Sequence, residues 1–129
     1  MDLNGNYVWV DRIITSGEDV SRIFISPFGK IYLITQTEGS SQFGNFNLPP
    51  GGGIIQYDAA GNCLSAEILF TPSAATQFNE VYMKFIESDI FFHGYFNTTS
   101  FQLDTFNLTN LGTSDAFLAG PILMEMLNG

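Results

Sequence analysis

The sequence has few of the residues that most active sites and metal centres need. Its 129 residues contain one cysteine, Cys63, and one histidine, His93. A lone thiol excludes an intrachain disulfide and a multi-cysteine zinc site, and a lone imidazole excludes multi-histidine metal centres. His93 lies in a strand-like run, which favours a packed or sheet-edge role over catalysis. We therefore predict no catalytic residue, no metal site, no cofactor and no enzyme activity.

Basic residues are also scarce. Four Lys and Arg residues stand against thirteen Asp and Glu residues, which gives a formal net charge of -9 and a pI near 4.1. Nucleic acids and anionic membrane surfaces both require basic patches, so neither is expected as a partner. No apolar run reaches the roughly 18 to 20 residues of a membrane-spanning helix, so membrane insertion is not expected either.

Helical periodicity is nearly absent, apart from an ambiguous run over residues 122–127. Aromatic residues make up 15% of the chain, with 13 Phe and 5 Tyr, and charged residues only 13%. Short β-branched and aromatic runs bounded by Gly, Pro, Asn and Asp predict strands joined by tight turns. We therefore predict one all-β domain over residues 1–129. The predicted strands cover residues 7–14, 20–25, 30–35, 54–57, 63–70, 81–86, 90–96 and 116–119.

An internal repetition organises these strands. Phe46-Asn47-Leu48 recurs sixty residues later as Phe106-Asn107-Leu108, and similar apolar strands precede and follow each copy. A Gly-Asn turn at Gly61-Asn62 matches Gly5-Asn6 at the start of the chain. Self-similarity at such a spacing is typical of repeat architectures. We therefore predict two divergent repeats, over residues 5–60 and 61–129.

The second half resembles the repeat of bacterial seven-bladed β-propellers. The resemblance is carried by Asp89-Ile90-Phe91-Phe92, by the Gly94-Tyr95-Phe96 end of that run, and by Gly112-Thr113-Ser114-Asp115-Ala116-Phe117-Leu118-Ala119. The first half retains less of it, since the Asp-Ala-Phe portion is missing there. The resemblance implies antiparallel, four-stranded, propeller-like blades. A β-sandwich is the alternative architecture.

Two blades cannot close a propeller, which needs about four to eight. A blade made of strands 20–26, 30–37, 53–58 and 62–70 has only three counterparts in the second half, and the missing fourth corresponds to residues 6–14. We expect this N-terminal strand to pair with a neighbouring copy, because exchange covers sheet edges that would otherwise aggregate. In the alternative, residues 6–14 pair within their own chain in a compact sandwich.

The expected function is therefore that of a non-enzymatic structural or interaction protein whose partner is itself, as a multi-subunit propeller, a filament or a virion component. Extracellular, cell-surface or virion-associated settings are favoured over the cytoplasm. The residues expected at the assembly interface are Tyr7, Val8, Trp9, Val10, Phe117, Leu118, Ile122 and Leu123.

Two other functions remain open at this stage. A lectin-like, carbohydrate-binding role would use exposed aromatic and amide side chains, with Trp9, Tyr95 and Asn97 as the candidate glycan contacts. An enzyme fragment would need acidic residues to converge in a pocket. The acids considered for this are Glu18, Asp19, Asp89 and Asp115.

Overall fold

The fold is built from strands and connecting turns. The computed structural model describes residues 3–15, 19–37, 39–71, 80–87, 89–96, 100–103 and 106–123, and no helix occurs among them. This part of the chain accordingly offers no helical segment suited to crossing a membrane. The strands are β1 (Ile14–Thr15), β2 (Asp19–Ile25), β3 (Ile31–Thr37), β4 (Ser41–Phe43), β5 (Phe46–Leu48), β6 (Gly51–Tyr57), β7 (Cys63–Thr71), β8 (Glu80–Ile86), β9 (Asp89–Phe96), β10 (Ser100–Leu103), β11 (Phe106–Thr109) and β12 (Asp115–Leu123).

Three antiparallel sheets contain these strands. The central sheet has six strands in the order β11-β10-β7-β6-β3-β2. The N-side sheet has the order β1-β4-β5, and the C-side sheet has the order β12-β9-β8. None of the sheets closes into a barrel. The predicted all-β, antiparallel fold class is confirmed.

The long strands follow the same order in both halves of the chain. In the first half, β2, β3 and β6 are neighbours in one sheet, and the β4-β5 hairpin lies between β3 and β6 in sequence. In the second half, β8, β9 and β12 are neighbours in one sheet, and the β10-β11 hairpin lies between β9 and β12 in sequence. In the central sheet a fourth long strand, β7, lies beside β6. Among the described residues, β12 has no such neighbour.

A tight turn illustrates why the strands end where they do. Between β2 and β3, the Ser26 side-chain oxygen accepts hydrogen bonds from the backbone amides of Phe28 and Lys30, at 3.2 and 3.1 Å. Gly29 takes a φ of +80°, which side chains other than glycine rarely adopt. The sequence Pro27-Phe28-Gly29 thus forms the hairpin turn that was predicted.

The sheets stack face to face through two apolar clusters. The central sheet lies between the other two, so its strand β6 is buried along its whole length. The cluster towards the C-side sheet contains Tyr32, Ile34, Ile54, Met83, Ile90, Phe92, Phe96, Leu103 and Phe117. The cluster towards the N-side sheet contains Leu33, Phe43, Leu48, Ile55 and Tyr57.

The N-terminal segment differs from the prediction. A strand was expected over residues 7–14, whereas only Ile14 and Thr15 form one, paired with Gln42 and Ser41 of the same chain. Residues 7–13 are not assigned to any strand. A strand requires a ladder partner, and no described edge of this chain runs beside these residues. The sandwich alternative predicted that residues 6–14 pair within their own chain, and of these residues only Ile14, in β1, does so in the described structure.

Candidate functional site

One exposed surface with apolar side chains lies on the C-side sheet. Alternate residues of β9 point to opposite sides of the sheet, so Ile90 and Phe92 are buried whereas His93 and Tyr95 are exposed. Leu118 lies opposite His93 in the ladder and shares its side of the sheet. We call this surface the outer face, and its described members are Tyr82, Lys84, Phe91, His93, Tyr95, Ala116 and Leu118.

An aromatic stack occupies part of the outer face. The rings of Tyr82 and His93 stack with centroids 5.2 Å apart, and the Arg22 guanidinium lies 4.8 Å from the Tyr82 ring centroid. Cations are attracted to the negative face of an aromatic ring at such distances. Of the two roles expected from the sequence, His93 is therefore packed, against the Tyr82 ring, and it does not lie at a sheet edge, because β9 is the middle strand of its sheet.

A second apolar surface lies on β2, at the edge of the central sheet. Ile23 and Ile25 are both exposed, and they lie opposite Leu33 and Ile31 of β3 in the ladder. Residues opposite each other in an antiparallel pair share one side of the sheet. This β2 patch, Ile23 and Ile25, therefore faces the same side as the N-side sheet but extends beyond its cover.

The N-terminal segment is held against the central sheet by Trp9. The Trp9 indole N–H donates a hydrogen bond of 3.0 Å to the Ala59 carbonyl oxygen. Its ring stacks on Tyr57, with centroids 6.4 Å apart and planes 15° apart. A side chain at Gly61 would lie within 3 Å of the Trp9 ring, so glycine is needed there for close approach as well as for its φ of +90°.

A carboxylate organises the turn on which Trp9 rests. Asp58 accepts hydrogen bonds from the backbone amides of Ala60 and Asn62 and from the Asn62 side-chain amide, all at 2.9–3.0 Å. These bonds, led by that of the Asn62 side chain, lower the pKa of Asp58. The turn interpretation of Asp58-Ala59-Ala60-Gly61-Asn62 is confirmed.

Tyr57 and Cys63 lie beside Asp11 at the same place. The Tyr57 hydroxyl donates a hydrogen bond of 3.1 Å to the Asp11 carboxylate. Burial is the main cause that raises the pKa of Tyr57, and the Cys63 and Asp11 charges add to it. Burial also raises the pKa of the Cys63 thiol, reinforced by the Asp11 charge. Cys63 is therefore mostly protonated near neutral pH and a weak nucleophile.

The residues expected at the assembly interface do not form one contiguous surface. Tyr7, Val8 and Val10 are exposed, whereas Trp9 packs on the Asp58–Asn62 turn. Phe117 is buried between the central and C-side sheets, and Leu118 is exposed on the outer face. Ile122 and Leu123 end strand β12, opposite Ile90 and Asp89.

The candidate glycan contacts lie in different parts of the fold. Trp9 lies at the turn that follows β6, whereas Tyr95 lies on the outer face of the C-side sheet. Asn97 lies outside the described residues. The three residues therefore do not define one sugar-binding surface in the described structure.

Two of the candidate catalytic acids, Asp89 and Asp115, are not brought together. Asp89 begins β9 and pairs with Leu123, whereas Asp115 pairs with Phe96 at the other end of the same strand. At about 3.3 Å per residue, these two carboxylates are separated by roughly 20 Å along the sheet. Glu18 lies outside the described residues, and no group of three or more His, Cys, Asp or Glu side chains in the described part could hold a metal ion.

Comparison with known proteins gives no relative, since no protein-family model, curated protein or solved structure matches this chain. The described structure has three open sheets and two exposed surfaces with apolar side chains, on a fold whose two halves share their strand order.

Proposed function

We propose that this chain is a non-enzymatic structural protein that assembles with further copies of itself. In this proposal, its two halves are divergent repeats of a propeller-like blade, and the second blade lacks its last strand. The shared strand order of the halves and the placement of Phe-Asn-Leu in β5 and in β11 support this interpretation. Under it, β3 and β9 are equivalent with a shift of 59 residues, so that Leu33 corresponds to Phe92 and Ile34 to His93.

The observation that carries the proposal is that equivalent positions differ sharply in exposure. Ile54 lies opposite Ile34, and Leu118 lies opposite His93. Because His93 corresponds to Ile34, Leu118 corresponds to Ile54. Ile54 is 2% exposed because the C-side sheet covers it, whereas Leu118 is 79% exposed. The outer face is thus the second-repeat version of a face that is fully packed in the first repeat.

At the β2 patch the exposure of equivalent positions also differs, but here the first-repeat residue is exposed and its second-repeat equivalent is buried. Met83 lies opposite Phe92, and Ile23 lies opposite Leu33. Because Phe92 corresponds to Leu33, Met83 corresponds to Ile23. Met83 is 4% exposed, whereas Ile23 is 68% exposed. By the same comparison Ile25 corresponds to Phe85, which contacts the Tyr32 ring at 5.4 Å.

These two exposed surfaces are complementary. Within the chain, Met83 and Phe85 of one sheet pack against Tyr32, Ile34 and Ile54 of the other. The same contact, repeated between copies, places the β2 patch of one copy against the outer face of the next. A closed ring and an open filament would both use this head-to-tail contact.

The test compares two leucines that are both exposed in the single chain. Leu118→Ser removes an apolar side chain from the outer face, whereas Leu111→Ser makes the same change in a loop, where Leu111 is 90% exposed. Burying a leucine stabilises by about 1.5–3 kcal/mol, so Leu118→Ser should weaken association by about tenfold or more. Leu111→Ser should leave association unchanged.

Native mass spectrometry and sedimentation velocity over a range of concentrations provide the readout, and circular dichroism checks that both variants fold. Concentration-dependent oligomers that are lost only in Leu118→Ser support the proposal. A wild-type chain that stays monomeric at every concentration, or equal losses in both variants, would show that the proposal is wrong.

Carbohydrate binding is the alternative function, favoured by the exposure of the Tyr95 ring on the outer face. Aromatic rings exposed in this way can stack on sugars, with nearby polar groups fixing the orientation. A glycan-array signal from a monomeric chain that is lost in a folded Tyr95→Ala variant would favour this alternative over self-assembly.

A further inference from the structure

We infer that the two three-stranded sheets are the two parts of one six-stranded sheet that is completed between copies. In this sheet, residues 7–13 of one copy pair with the open edge of β12 in another. The strand order becomes β8-β9-β12, then the N-terminal segment with β1, then β4-β5. This inference rests on the proposed self-assembly and names the strands, the register and the partner.

The central sheet provides the pattern for this arrangement. Its order, from the β2 edge, is β2-β3-β6-β7-β10-β11. The C-side sheet supplies the equivalents of β2, β3 and β6, and the N-side sheet supplies the equivalents of the end of β7 and of the β10-β11 hairpin. Together the two small sheets contain the same set of strands as the complete central sheet.

The short strand β1 marks where the N-terminal segment belongs. β1 pairs with β4 through Ile14 and Gln42, and β7 pairs with β10 through Thr71 and Gln102. Gln42 and Gln102 are equivalent, since each lies four residues before its Phe-Asn-Leu sequence. β1 therefore pairs with the β4-β5 hairpin at the position where the end of β7 pairs with the β10-β11 hairpin.

The segment before β1 already lies in the orientation that the shared sheet requires. Trp9, Asp11 and Ile13 contact the central sheet or its β6-β7 turn. The intervening Val10, 81% exposed, has no comparable cover. Packed and exposed side chains therefore alternate along this segment, as in a strand that packs one face against its own chain. Its other face is free to contact a second copy.

The register follows from the pairing of β6 with β7. Ile55 lies opposite Ala66 in that ladder, and Gly61-Asn62 matches Gly5-Asn6, so Val10 is the equivalent of Ala66. The equivalence of Ile14 with the end of β7 is shifted by one further residue, because β7 has a bulge between Ile68 and Phe70. Ala119 lies opposite Phe92, and Ile55 lies opposite Leu33. Because Phe92 corresponds to Leu33, Ala119 is the equivalent of Ile55. Val10 of one copy should therefore lie directly opposite Ala119 of the next.

Cysteine cross-linking tests this register. Two single-cysteine variants, Val10→Cys and Ala119→Cys, are made in a Cys63→Ala background, mixed, and oxidised mildly. Disulfides form when Cα atoms are about 4.4–6.8 Å apart, so this pair should give heterodimers about tenfold faster than a pair two residues out of register. The matched control mixes Arg12→Cys with Ala119→Cys, since Arg12 is exposed on the same segment but lies two residues from Val10.

The outcomes separate this inference from the self-assembly on which it rests. Heterodimers formed by Val10→Cys with Ala119→Cys, and not by the control pair or by either variant alone, support the shared sheet. Oligomers in native mass spectra without this cross-link, or with the control cross-link instead, overturn the shared sheet and leave self-assembly standing. A wild-type chain that remains monomeric overturns both.

Discussion

At the scale of single residues, the hydroxyl groups of two buried tyrosines in the central sheet differ in their contacts. The Tyr57 hydroxyl donates to Asp11, whereas the Tyr32 hydroxyl is buried with no hydrogen-bond partner in the described structure. A buried polar group without a partner loses its hydration and gains nothing in return. The two hydroxyls should therefore contribute to stability with opposite signs.

We predict that Tyr32→Phe leaves the free energy of unfolding unchanged or raises it by about 1 kcal/mol, because it removes an unpartnered group. Tyr57→Phe should lower the free energy of unfolding by about 0.5–1.5 kcal/mol, because it removes a hydrogen bond. Urea unfolding followed by circular dichroism measures both changes. A Tyr32→Phe variant less stable than Tyr57→Phe would contradict this account.

At the scale of elements, the Asp58–Asn62 turn connects β6 to β7 and also positions the N-terminal segment through Trp9. Its hydrogen bonds lower the pKa of Asp58 relative to an unfolded chain. A carboxylate with a lowered pKa stabilises the fold at pH values above its unfolded pKa, and this contribution is lost as the pH falls through its folded pKa.

We therefore predict that the turn loosens its hold on Trp9 below about pH 4, where a free aspartate side chain titrates. Trp9 is the only tryptophan, so the tryptophan emission reports on the surroundings of this one ring. The emission should shift to the red on acidification, and Asp58→Asn should show a similar shift already at neutral pH.

Asp115→Asn is the matched control for this experiment. Asp115 accepts a 2.8 Å hydrogen bond from the Leu111 backbone amide in a different turn. Its loss should leave the Trp9 emission unchanged at neutral pH. Equal shifts in the two variants would mean that the Trp9 signal follows general loosening of the fold and not the Asp58–Asn62 turn.

The same elements show how far sequence reasoning reaches. The long strands were predicted because β-branched and aromatic runs alternate with turn formers such as Pro27-Phe28-Gly29. Four of them, β2, β3, β6 and β7, are neighbours in the central sheet, which has six strands. The strand expected over residues 7–14 was wrong except at Ile14, because apolar content indicates an extended segment but not whether a ladder partner lies beside it.

The candidate site was harder to predict, because it depends on pairing between distant segments. Leu118 was named from the sequence as an interface residue, but the β2 patch of Ile23 and Ile25 was missed. Their runs resemble those of any half-buried strand, and only the packing of the sheets decides which side stays uncovered. The contact of Trp9 with the Asp58–Asn62 turn likewise joins residues 50 positions apart, with no local signal.

At the scale of the whole molecule, the proposed contact brings together copies that each carry a formal charge of -9. Like charges repel over distances set by the Debye length, which falls from about 30 Å at 0.01 M salt to about 3 Å at 1 M. The apolar surfaces that would associate gain little from charge attraction. Association should therefore be limited by repulsion at low ionic strength.

We predict that association strengthens severalfold as sodium chloride is raised from about 0.01 M to about 1 M, because screening removes repulsion while apolar burial persists. Sedimentation velocity at fixed protein concentration measures this. Leu111→Ser should follow the wild type, and Leu118→Ser should remain dissociated throughout. Weaker association at high salt would indicate that charge pairs, and not apolar faces, hold the copies together.

The β10-β11 hairpin of the second half completes the sheet that the first half begins. If the same connection is made between copies, as we propose, a departing copy must open a run of backbone hydrogen bonds before it is released. Because these bonds must open first, release should be slow, and among related contacts a slower dissociation rate is what mainly raises affinity. An assembled particle would then exchange its subunits slowly and keep its size after dilution.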